Sequence, residues 1–343
     1  YKYLSNFGKR IVLYCNESAE YTNAFERCRI KPDNKPGRCL LELDKEIYEG
    51  QIYLAFAAEK EIDKISQIRA FIEEANKRNT GKGARKVPEI PPIVTEEFIN
   101  GRMGRGFEEY EVVTGVNYAT TELEYLKLLK TGVIGIGSKE HAGGTNFLKY
   151  ILSTLIKRRD REPVKLYIVD NFEKKLASFK KWEEHVSYSG TSADGIRYLN
   201  EVSGILEERY RLLLTGEDDR LKSEALQVIV INNADCYEAL SNDAKAMETY
   251  KQIISKYRTL KVCFVMAQMP NANLNFGAPS VLKVSRDVIN LYLFYNIAEQ
   301  KVTDIPLSVQ KEFAKPLDVG EAFNIYAGNL EKIKTPLYEE EEN

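Results

Sequence analysis

Residues 133–157 read VIGIGSKEHAGGTNFLKYILSTLIK, and the order of chemistries along them decides the fold class. The run 133–136 is short, apolar and β-branched, the composition of a buried strand. A glycine loop follows, and over 145–157 apolar residues recur at helical spacing. Strand, glycine loop and helix in that order form a cradle for phosphate. Backbone N–H groups converge there at a helix N-terminus, whose dipole favours an anion. A loop that holds nucleotide follows the pattern G-x-x-x-x-G-K-[ST], with its Lys on the β/γ-phosphates and its hydroxyl on magnesium. Set on the end of that pattern, Gly143 takes the last glycine and Thr145 the hydroxyl. The lysine position is Gly144, the opening glycine falls on Ser138, and Gly137 stands one residue early. The loop backbone is therefore present and its cation is missing. Lys139 could swing in, but it sits at the start of the loop rather than on the first turn of the helix.

Outward from this loop the pattern alternates. Strands are expected at 164–169, 226–231, 262–267 and 288–294, with amphipathic helices at 193–214 and 244–257. Alternation at this spacing predicts a mostly parallel sheet with helices on both faces. The run 226–231 (LQVIVI) is the most apolar and should be central. It leads into Asn232-Asn233-Ala234-Asp235. A nucleotide-hydrolysing site ends such a strand in carboxylates, one to orient magnesium and one to prepare the attacking water. Amides stand in both places here, and an amide brings no charge to a magnesium ion. Asp235 lies beyond the strand. The plain alternative is a glycine turn and a core strand that never held nucleotide. Asp170 and Gln268, at carboxyl ends of expected strands, are weaker candidates. Trp182, Phe179 and Tyr188 read as packing, and no Ser/His/Asp or Cys/His arrangement stands out.

Before residue 105 the chain is different. Runs 10–15, 38–43 and 51–57 read as strands and 59–77 as a helix. A Gly-, Lys- and Pro-rich stretch then marks a linker, placed at 77–104. The first segment, RIVLYC through GRCLLEL, echoes DVINLYLFYN through GEAFNIYA near the end. The division expected is 1–76, the last part of one module; 105–338, a complete second module; and 339–343, an acidic tail.

Composition narrows the function. Lys+Arg 49 against Asp+Glu 51 gives a net charge of −2, without the basic excess of a phosphate-gripping nucleic-acid binder. Five cysteines form no CxxC pair, which points to a reduced, cytosolic protein. With two histidines and no cluster of Cys or carboxylates, no metal site is expected. No apolar run is long enough to span a bilayer. The start in mid-pattern points to a longer parent chain that could carry a membrane anchor.

Taken together, the degenerate loop GSKEHAGGT, the DNF after the second strand, the helix LNEVSGILEERY, the NNAD after the central strand and the earlier RIVLYCNES…PGRCLLEL resemble the FtsK/SpoIIIE class of motor ATPases. More narrowly they are similar to the EssC/EccC coupling proteins of type VII secretion. The resemblance covers nearly the whole chain and implies a RecA-like P-loop NTPase fold preceded by a small β-rich segment. It also implies the cytoplasmic portion of a membrane-anchored protein. Implied partners are small helical WXG100-type secreted proteins, neighbouring ATPase modules and a hexameric assembly; the membrane is reached only through the parent chain. The departures at Gly144, Asn232 and Asn233 lead us to expect a pseudo-ATPase without a tightly held cofactor, ATP and magnesium binding only weakly. Two alternatives remain: an ATPase completed by residues in trans, and a DNA translocase module.

Overall fold

The computed structural model describes residues 8–26, 28–44, 46–79, 81, 89–277 and 279–340, which form two compact units, Tyr1–Lys86 and Val87–Asn343. The smaller holds an antiparallel sheet of β1 (Ile11–Leu13), β2 (Arg38–Leu43) and β3 (Glu46–Gln51), in that order. Tyr21 and Ala24 of the helix Ser18–Ala24 pack with Phe25 and Leu40 as its core. The expected strand at 51–57 is not formed; β3 lies earlier. EIYEGQ pairs with β2 through Leu43↔Glu46, next to Asp44 at φ +53°. Polar residues fill both faces of β3, so alternation gave no signal, whereas the apolar run after Gln51 leaves the sheet.

The larger unit carries β4 (Glu111–Asn117), β5 (Leu123–Lys127), β6 (Val133–Ser138), β7 (Val164–Asp170), β8 (Val186–Ser189), β9 (Leu226–Asn232), β10 (Val262–Ala267), β11 (Ile289–Phe294), β12 (Glu321–Tyr326) and β13 (Asn329–Lys334). They form one sheet in the order β5-β4-β13-β12-β11-β6-β10-β9-β7-β8. From β11 to β8 the pairs are parallel, and from β11 to β5 antiparallel. The expected parallel core is present, with β9 flanked by β10 and β7 and buried throughout.

Alternate side chains of each central strand enter different cores. Ile229, Ile231, Phe264 and Met266 pack with helices Ser192–Leu214, Ala234–Asn242 and Ala244–Gln252. Val228, Val230, Cys263 and Val265 pack on the other face with Phe147, Leu148, Ile151 and Leu155 of helix Gly144–Lys157. Helices cover both faces because every central strand is apolar in both phases. Among the described residues, no helix is long and apolar enough to cross a membrane.

The echo between the chain's beginning and end has a geometric counterpart. β11, β12 and β13 are antiparallel in the order of β1, β2 and β3. Both hairpins open on a glycine with positive φ, Gly37 at +80° and Gly320 at +77°. Its carbonyl accepts the N–H just past the third strand, from Ile52 in one copy and Thr335 in the other, each at 2.8 Å. The tight turns also match, with Asp44 and Ala327 both at positive φ.

Part of the expected linker is folded. Helix Glu96–Arg102 is capped by Thr95, and Val94 and Ile99 are buried with Val113 and Val116. Apolar residues spaced among prolines and charges had hidden this anchor, so the linker expected over 77–104 ends earlier.

Helix Ser192–Leu214 is tied to the sheet by buried Arg209. Its guanidinium donates to the carbonyls of Leu260 (2.9 Å), Lys261 (3.2 Å) and Ala225 (2.7 Å) and to Glu224 (3.2 Å). Burial pulls its pKa below the usual guanidinium value. Replacing it by Met would take from the Leu260 carbonyl its Arg209 donor, at about 1–3 kcal/mol for a buried unpaired group, while the Lys261 and Ala225 carbonyls keep a second donor from Gln227. Arg209→Met should therefore lower the stability of the larger unit by about 2–3 kcal/mol, read as a lower urea midpoint at unchanged slope by the fluorescence of Trp182.

Candidate functional site

Because β10 lies between β6 and β9, the loop after β6 and the turn after β9 open on the same edge of the sheet, with the turn after β10 between them. This is where an open parallel sheet takes ligands. A cleft of about 820 Å³ lies there, lined by Ser138, Gly143, Gly144, Thr145, Asn232 and Gln268 among others.

The loop is pinned from behind. Gly143 sits at φ +111° and opens the helix Gly144–Lys157. The N–H of Gly320 donates to the Ala142 carbonyl at 3.1 Å, and a Cβ on Gly143 would lie 3.1 Å from Gly320 Cα. Gly144 is more constrained still. A Cβ there would stand 2.4 Å from Ser138 Cβ and 2.7 Å from Ser138 Oγ. Ser138 and Gly144 thus share one volume, and only one can carry a side chain. Ser138 Oγ donates to the Lys139 carbonyl at 2.8 Å. Lys139 itself is paired with Glu299.

At the end of β9 the two amides face a carboxylate on β7. Asp170 has no solvent exposure, and four donors reach it. The N–H of Asn171 (3.0 Å) and Asn232 Nδ2 (2.8 Å) donate to Oδ1; the N–H of Leu176 (2.8 Å) and the Tyr188 hydroxyl (2.8 Å) donate to Oδ2. Burial, and then the bond to Asp170, raise the pKa of Tyr188 and keep it a neutral donor. Asn233 donates to the Asp170 carbonyl at 3.1 Å and accepts the Cys236 N–H at 3.2 Å, capping the helix Ala234–Asn242.

The site residues read from the sequence divide accordingly. Ser138, Gly143, Gly144, Thr145 and Asn232 line the cleft. Gly137 lies within β6, where a Cβ would meet Leu293 and Tyr295 at 2.9 Å. Asn233 is a helix cap, and Asp235 is exposed on the first turn of that helix. Gln268 lines the cleft at φ +52°.

No family model and no curated protein matches the chain. Solved structures do. A structure of EssC (ATPases 2 and 3) from Geobacillus thermodenitrificans superposes at a TM-score of 0.67 with 19% identity, over 98% of this chain and 62% of that one. EccC (ATPases 2 and 3) of Thermomonospora curvata, in complex with a signal sequence peptide, gives 0.58 at 15% identity, over 90% and 55%. The pCW3 conjugation coupling protein TcpA, in its monomer form with ATPγS, gives 0.55 at 15%, over 80% and 82%. The fold is that of the EssC and EccC ATPase domains. The chain spans about three fifths of the length of the EssC structure it matches.

Two residues of the site were missed or undervalued in the sequence. Tyr188, read as packing, is a hydrogen-bond donor to Asp170. In the sequence Ser138 reads only as a lost glycine, although a side chain at the opening position together with a glycine at the lysine position is itself the sign of an exchange.

Tyr188→Phe removes one of four donors and should cost about 1 kcal/mol. Asp170→Leu leaves those donors facing an apolar group, and the loss should reach about 3 kcal/mol or more. Urea denaturation of the two variants checks the order and the gap.

Proposed function

We propose that the chain is a pseudo-ATPase portion of a type VII secretion coupling protein, which docks small helical WXG100-type substrates and regulates a neighbouring motor module. The observation that supports this reading is the crowding at the loop and at the strand ends. Ser138 fills the space a loop lysine would need, and Asn232 is committed to Asp170. A domain of this size kept without turnover is kept for what it contacts. The matched hairpins support reading the smaller unit as the end of a preceding module and the larger unit as a complete one. The EccC structure was solved with a signal sequence peptide, and we carry that kind of partner over to this chain. The parent chain is then the route to the membrane, with this part on its cytoplasmic side.

The larger unit offers a groove of about 500 Å³ with an apolar side. Tyr118, Ile305, Val309, Phe313, Ile325 and Leu330 supply its apolar surface, and Leu307 lies exposed on the helix Leu307–Glu312 beside it. We place the docking here, by the helix-in-groove mode. One short helix buries little area and loses entropy on ordering, so a single module binds weakly and several copies gain by avidity.

A second reading, an ATPase completed by residues in trans, is favoured only by the openness of the cleft beside Thr145. Charge balance speaks against a DNA translocase.

A secreted WXG100-type protein titrated calorimetrically into the whole chain should bind, and Val309→Asp should weaken it at least about tenfold by placing a charge against an apolar partner. Equal binding by the wild type and by a folded Val309→Asp chain would remove the docking role from this groove.

A further inference from the structure

We propose that Ser138 and Asp170 are the residues that bar a lysine at 144 and an acid at 232, each occupying what the missing group would need. The inference rests on the pseudo-ATPase reading and deepens it. It adds, to the positions where charge is missing, the two positions that hold the site in that form.

In the loop, the obstacle is shape. Every side chain begins with a Cβ, and at 144 that atom would stand 2.4 Å from Ser138 Cβ and 3.4 Å from Ile136 Cγ2. Ser138 Cβ is the root of its side chain, with no torsion of its own to move it aside. A lysine at 144 therefore requires glycine at 138. The pattern G-x-x-x-x-G-K has its glycine at the first position and its side chain at the seventh. Here the pair is inverted, with the side chain at 138 and the glycine at 144.

At the strand ends, the obstacle is charge. The sheet sets Asp170 opposite Asn232 in register, and Asn232 Nδ2 donates to Asp170 Oδ1 at 2.8 Å. An aspartate at 232 would replace that donor by a second carboxylate at the same separation, away from water. Two carboxylates so placed cannot both stay ionised. A metal-binding acid at 232 therefore requires Asp170 to give up its charge. With Asn at 170 and Asp at 232, the pair keeps one carboxylate and one amide donor.

The two pairs are tested on the whole chain by double-variant cycles, with Trp182, the only tryptophan, reporting unfolding of the larger unit. Gly144→Ala alone should lower the thermal midpoint by about 2–6 °C through overpacking. In a Ser138→Gly background the same change should raise the midpoint by about 2 °C, the ordinary gain for Gly→Ala in a helix. Asn232→Asp should lower the midpoint, more at pH 8 than at pH 5, and added Asp170→Asn should recover most of the loss. Labelled Mg-ATP is then titrated into Gly144→Lys/Asn232→Asp and into the variant that adds Ser138→Gly and Asp170→Asn. The four-change variant should bind at least about tenfold tighter, the value of a charge-assisted contact.

Loss of the sign change for Gly144→Ala would overturn the role of Ser138. Equal affinity of the two-change and four-change variants would overturn closure by Ser138 and Asp170 together. Tight Mg-ATP binding by the wild type would instead overturn the pseudo-ATPase reading, and the stability cycles would still decide the packing of the two pairs.

Discussion

One buried carboxylate organises the functional edge of this sheet. Asp170 stands without solvent at the end of β7, and its carboxylate oxygens accept from four hydrogen-bond donors. A buried polar group costs free energy unless its partners are in place, so the surroundings are fixed with it. The N–H of Leu176 sets the turn after β7, Tyr188 ties in β8, and Asn232 ties in β9. The same residue's carbonyl holds Asn233, which caps the next helix. Three strands and a helix start thus meet at one residue. In an active enzyme of this fold, the end of the central strand carries the acid; here the acid is on the neighbouring strand, facing inward.

The loop after β6 answers to a constraint of a different kind, close packing. Ser138 and Gly144 divide a volume that holds one side chain, and Gly320 presses on Gly143 from behind. Gly320 also opens the hairpin of β12 and β13, whose twin in the smaller unit opens on Gly37. The repeated hairpin and the closed loop therefore meet in the larger unit. A part of the fold that recurs in the chain also braces the glycine loop.

Much of the fold was legible because its central strands are apolar on both faces. LQVIVI and VCFVMA can only be buried, and the glycine loop between 133–136 and the following helix set the class. The antiparallel extension was harder to read. Strands β4, β5 and β13 mix charged or polar residues into short segments, the pairing of β4 with β13 joins residues far apart in sequence, and β3 exposes polar residues on both sides. Of the site, the loss of lysine and of two carboxylates could be read directly from motif positions. The gains could not. The approach of Ser138 to position 144, and of Asp170 to Asn232, depends on distances that spacing along a chain does not give. Tyr188 was passed over for the same reason, since its partner lies on an adjacent parallel strand.

The central claim is that these replacements leave the folded chain with no affinity for nucleotide worth the name. Linkage tests this on the unaltered protein, because a ligand at about a hundredfold its dissociation constant stabilises the native state by about 2.7 kcal/mol. Thermal unfolding followed by Trp182 fluorescence, with and without about 1 mM Mg-ATP, would register a dissociation constant near 10 μM as a rise of several degrees. The structure predicts superimposable transitions. A midpoint raised by several degrees with Mg-ATP would contradict it.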